Sequence, residues 1–148
     1  MNRKLDIIAE WVVWGSLGNK RDLETILLKG HLLLEMILSM LLSRNGFDNC
    51  NDNSFYRKIG LLRNLNTTDQ VGLKKIITAL VEINNLRNKL AHEILFKVND
   101  SNFSTWAIGV LENFEGTKFT KYTHKTKIIH AFSILSKNIL DLDKNSNQ

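Results

Sequence analysis

Val71-Gly-Leu-Lys-Lys-Ile-Ile-Thr-Ala-Leu-Val-Glu-Ile-Asn-Asn-Leu-Arg-Asn-Lys-Leu-Ala-His92 is the stretch on which the fold turns. At about 100° per residue, Ile76, Ala79, Ile83, Leu86, Leu90 and Ile94 fall in one apolar sector. Leu73, Ile77, Leu80, Val81 and Ala91 fall in a second. A helix that is apolar on two sides is buried on two sides, so a central helix is predicted from about Val71 to His92 or a little beyond. Asn84, Arg87, Asn88 and His92 occupy an arc of about 140° that overlaps the second sector. Burying such groups without partners costs a few kcal/mol each. They must meet a partner, a cleft or water.

Working outward, the helix expected from Arg21 or Asp22 to about Leu42 shows the same anomaly. It is apolar nearly all round, through Ile26, Leu27, Leu33, Leu34, Ile37, Leu38, Leu41 and Leu42. His31 and Glu35 interrupt it at a spacing of i, i+4, one above the other, with Glu24 and Leu28 on about the same stripe. We expect this polar island to meet the first, leaving Glu35 within reach of Arg87 or His92. Plainer readings stand beside that one. His31 and Glu35 form a satisfied pair or a surface edge, Asn84 and Asn88 cap a neighbouring helix, and Arg87 makes a structural ion pair.

The remaining pattern is helical too. A short helix is expected from Arg3 to Val13, carrying Trp11 and broken by Gly15, Ser16 and Gly18. Asn45-Gly46 should end the second helix. Ser54 should cap a short third one with Phe55, Ile59, Leu62 and Leu65 as its apolar stripe. Residues 105–114 read as helix with Gly116 as the stop. A last helix from about Thr123 to Leu142 sets Ile128, Ile129, Phe132, Leu135, Ile139 and Leu140 near one face, before a frayed tail over 143–148.

The 148 residues contain no proline and suit one all-α domain, a helical bundle with short additional helices. Cys50 is the lone cysteine and lies in the polar loop Asn49 to Asn53, which fits a reducing cytoplasm. Asp6 and Glu10 cut the apolar run a secretory signal would need. Lys29, His31 and Glu35 make the run Ile26 to Leu42 too polar, and its length too short, to span a bilayer alone, so no membrane is expected. The net charge of +5 permits a polyanionic partner without requiring one. Arg63, Lys118, Lys121, Lys125 and Lys127 read as a scattered solvated surface. His124 and His130 lack the usual spacing of paired ligands on one helical turn and read as surface or structural residues, so neither a metal nor a cofactor is expected.

Arg87-Asn88-Lys89-Leu90-Ala91-His92 resembles the signature of the HEPN (higher eukaryotes and prokaryotes nucleotide-binding) superfamily. That signature is an arginine, usually followed by a polar residue, with a histidine four to six residues beyond. The likeness extends over roughly Asp22 to Phe96. It takes in the glutamate among leucines of the earlier helix and the intervening Ser54-Phe-Tyr-Arg-Lys-Ile-Gly-Leu-Leu62. It implies a helical bundle that pairs as a homodimer and, in the nuclease branches, metal-independent cleavage of RNA in a cleft shared by two protomers. Arg87 and His92 would then be catalytic, Asn88 would support them, and Glu35 would help. His31 and Asn84 are the candidate substrate-binding residues.

The side chains suit that chemistry. RNA carries its own nucleophile, the 2′-hydroxyl, so the protein must move protons and steady charge on phosphate. Histidine exchanges protons near neutral pH. Arginine offers a permanently charged fork to phosphate oxygens. In HEPN toxins paired with nucleotidyltransferase antitoxins a tyrosine follows the histidine by two residues. Here Ile94 stands there, which argues against that kind of antitoxin. The stretch Phe55 to Ala91 is also similar to the mannitol operon repressor branch. Two functions are therefore expected: a ribonuclease of a toxin or phage-defence kind, or a non-catalytic HEPN-fold regulatory protein binding nucleotide, RNA or a protein partner.

Overall fold

Three side-chain caps start the helices. Asp22 accepts from the Thr25 backbone N–H at 2.7 Å, Ser54 from that of Arg57 at 3.2 Å, and Asp69 from that of Gly72 at 2.9 Å. Each satisfies a donor that a helix N-terminus leaves orphaned. The computed structural model describes residues 12–17, 22–47, 53–114 and 124–144. Its elements are α1 (12–17), α2 (Leu23–Arg44), α3 (Phe55–Leu62), α4 (Gln70–His92), α5 (Phe103–Asn113) and α6 (His124–Lys144), with a 3-10 turn at Val98–Asp100. All six are α-helices, as the patterning predicts.

One apolar cluster draws side chains from every helix, with Val13, Leu34, Ile59, Leu80, Trp106 and Phe132 among them. α6 packs most extensively, against α2 on one side and α5 on the other. It is buried without interruption from Ile128 to Ser136, over two turns. The sequence shows α6 as one-faced, but Ala131, Ser133 and Ser136 are small enough to let neighbours close on its other sides. Gly30 of α2 makes that closure tight. A Cβ there would run into the ring of Phe132. His130 is buried beside Trp14 of α1, their rings 6.4 Å apart.

Gly46 ends α2 with φ +87°, and the Phe47 and Gly46 N–H groups bond back to Leu42 and Ser43. That pair of bonds is the Schellman arrangement, which closes the last carbonyls of a helix. Arg44 and Asn45 then tie the end of α2 to Asp143 near the end of α6.

Several boundaries differ from expectation. α1 runs through Gly15 and Ser16 rather than breaking there, because Val13 and Leu17, one turn apart, are both fully buried. α6 continues to Lys144, so Asp143 belongs to the helix and not to a frayed tail. α4 stops at His92, which leaves Ile94 outside its apolar sector and 99% exposed. An 18-residue stretch of the 22-residue α2 has a mean hydropathy of 1.7. It is thus long and apolar enough to cross a membrane, contrary to the shorter, more polar span read from sequence. Half of that apolar stretch is buried inside this chain. Residues 3–11 of the first expected helix with Trp11, Gly18, Asn49 to Asp52 with Cys50, Gly116, Lys118, Lys121 and residues 145–148 of the expected tail lie outside the described residues.

Candidate functional site

The polar arc of α4 opens gradually towards its C-terminus. Asn84 is buried, Arg87 and Asn88 are half-buried, and His92 in the last turn is exposed. α2 supplies the opposing wall. His31, itself buried, donates from Nε2 to the Asn84 Oδ1 at 3.0 Å, so the polar islands of the two helices do meet. The other side of the imidazole lies against Phe55 of α3, with ring centroids 4.1 Å apart. Both polar groups are satisfied where water is excluded, which is the condition for burying them cheaply.

Burial pushes His31 below the usual imidazole pKa, and the nearby positive charge of Arg87 acts in the same direction. The Asn84 bond and the Glu35 charge pull the other way without prevailing. His31 is therefore neutral at pH 7. Its proton sits on Nε2, as the Asn84 carbonyl demands.

Arg87 donates from Nη1 to the Asn88 Oδ1 at 3.3 Å, a long bond between helical neighbours. Asn88 is its one side-chain partner among the described residues. The fork has five donors, so most of it is left for another acceptor.

Glu35 makes a different partnership from the one anticipated. Its Oε1 accepts from the Lys58 Nζ at 3.1 Å rather than from Arg87 or His92. The Lys58 side chain is only 3% exposed, against 31% for Glu35, so a buried ammonium rests on a half-exposed carboxylate. Lys58 was missed in the sequence, although a signal was present. At about 100° per residue it falls within 60° of Phe55 and 40° of Leu62, inside the stripe that α3 buries.

His31, Asn84, Arg87 and Asn88 thus form one corner with His92 at its open rim, and Glu35 of α2 lies beside it, bonded to Lys58 of α3. Such a corner offers a cationic fork and an imidazole to an anion. Among the described residues no three of His, Cys, Asp and Glu gather as a metal site needs. No family model, curated protein or solved structure matches this chain.

Proposed function

We propose that the protein is a metal-independent endoribonuclease of the HEPN kind, of a toxin or phage-defence type, acting as a homodimer in which Arg87 and His92 of two protomers line one cleft. The observation that carries this reading is the graded opening of α4, from the bonded Asn84 to the largely unengaged Arg87 and exposed His92. A cation and an imidazole left open at a helix end are what phosphate-ester cleavage by an internal 2′-hydroxyl requires. One imidazole takes the hydroxyl proton as the oxygen attacks phosphorus, and a second returns a proton to the departing 5′-oxygen. The guanidinium steadies the charge that builds on the phosphate oxygens, an effect worth about 10²–10³-fold in rate. Two copies of the corner supply both the base and the acid. RNA is the substrate and no cofactor takes part.

A second copy also has a surface to hold. Leu28, Leu32, Met36 and Met40 stand at i, i+4 spacing along the outer face of α2 and are 41, 57, 47 and 44% exposed. Their exposed area, on the order of 300 Å², matches the core of an interface that buries about 800 Å² per partner. Rows at this spacing interlock helix on helix, which makes the stripe self-complementary about a two-fold axis. Sedimentation of wild type and Met36→Asp tests the pairing. Wild type should run as a dimer and the variant as a monomer. Expression in growing cells tests the chemistry: a toxic wild type with harmless Arg87→Ala and His92→Ala supports it, and equal tolerance of all three refutes it.

One observation favours the second reading, a binding or regulatory protein of the same fold. The Glu35 carboxylate is engaged with Lys58, and so is committed to the structure and not free to act as a base. Under that reading the same corner holds a nucleotide, RNA or a protein partner without turnover.

A further inference from the structure

The face of α4 turned away from His31 borders a groove of about 670 Å³ against α5. Its floor is apolar, formed largely by Ala79, Leu86, Trp106 and Val110. Its α4 wall carries Lys74, Lys75 and Lys89 against a single acid, Glu82, while the α5 wall carries amide and hydroxyl side chains and no charge. The walls are fixed. Trp106, buried between Phe103 and Phe132, donates from Nε1 to the Ala79 carbonyl at 2.9 Å and pins α5 to α4.

Gly109 sits in this groove near the middle of α5. Glycine there weakens a helix, yet packing does not ask for it. An added Cβ would meet nothing nearer than the Asn113 Nδ2 at 4.0 Å. The residue keeps open a place where a ligand can approach the backbone closely.

We propose that this groove binds a single-stranded polynucleotide, with phosphates along the lysine wall and bases turned towards the apolar floor. At about 1.5 Å of rise per residue, Lys74 and Lys89 stand about 22 Å apart, room for about six stacked nucleotides. Such a pairing of a cationic track with an apolar surface holds single strands without regard to sequence. His92 lies one turn beyond Lys89 and about 60° round the helix. A strand leaving the groove at Lys89 therefore passes the imidazole. That last step rests on the ribonuclease reading, and the binding itself does not.

The test is fluorescence anisotropy with the full chain and a labelled 2′-O-methyl oligouridine of about twelve residues, which has no free 2′-hydroxyl and cannot be consumed. A matching oligodeoxythymidine asks whether the sugar matters. Binding should weaken with salt, and Lys74→Gln/Lys75→Gln should weaken it about tenfold and flatten the salt slope by about 1.4. Gly109→Leu should weaken it several-fold with no change of charge, its fold checked by circular dichroism. No binding by wild type, or equal affinity in both groove variants, overturns the proposal. Lost binding in the groove variants of a protein that cuts no RNA would sustain the groove while ending the ribonuclease reading. Confirmed cleavage with unchanged groove affinity does the reverse.

Discussion

Replacing Glu35 by alanine should unfold the protein far more readily than a surface substitution does. The carboxylate is the acceptor 3.1 Å from the Lys58 ammonium, and the lysine side chain is 3% exposed. Removing one member of a buried ion pair costs about 3–5 kcal/mol, because the other charge is left without water or a partner. Glu35 is itself 31% exposed, so water can enter the space it vacates. That places the expected loss below this range, at about 2–3 kcal/mol. A domain of this size loses about 2–4 °C of Tm per kcal/mol, giving a fall of about 4–12 °C. Urea and thermal unfolding followed by circular dichroism read both quantities. Lys58→Met in the Glu35→Ala background should restore most of the loss, since it removes the stranded charge and keeps the volume. A Glu35→Ala variant within about 0.5 kcal/mol of wild type would refute this reasoning and release Glu35 for a role in chemistry.

Other outcomes follow from the same contacts. His31 is held below its ordinary pKa by burial. The unfolded chain therefore binds the extra proton first, so stability is full above about pH 6.5 and falls with pH below it, by at most about 1.4 kcal/mol per unit. A pH series of urea midpoints should show this slope in wild type and lose it in His31→Gln. Gly30→Ala should cost about 1–3 kcal/mol in urea unfolding, because the new methyl meets the Phe132 ring across the α2–α6 contact. Gly109→Ala should do the opposite and raise stability by about 0.5–1 kcal/mol, having open space above it and a better helix former in place.

The helices were legible because their signals are local. Ser54 before an apolar stripe and Asn45-Gly46 after one announce ends that the backbone then makes with its own hydrogen bonds. The meeting of the two polar islands was also legible, since such groups on otherwise buried faces have few other places to go, but the contact runs from His31 to Asn84 and not from Glu35 to Arg87 or His92. What was hidden depends on which helix lies against which. Lys58 reads as a solvated lysine until α2 is laid over it. Leu32, Met36 and Met40 do not stand out in a helix that is apolar nearly all round until α6, α3 and α4 have taken the other sides of α2 and left them outside with Leu28. α1 passes through Gly15 because Val13 and Leu17 gain more from burial, roughly 1.5–3 kcal/mol each, than a glycine loses in a helix.

Incubation of the purified protein with a fluorescent mixed-sequence RNA in EDTA puts the central claim to trial. Wild type should cleave the strand, and Arg87→Ala and His92→Ala should each slow it by about 10²-fold or more while folding normally. Intact RNA, cleavage only after a divalent ion is added back, or variants as fast as wild type would contradict the account.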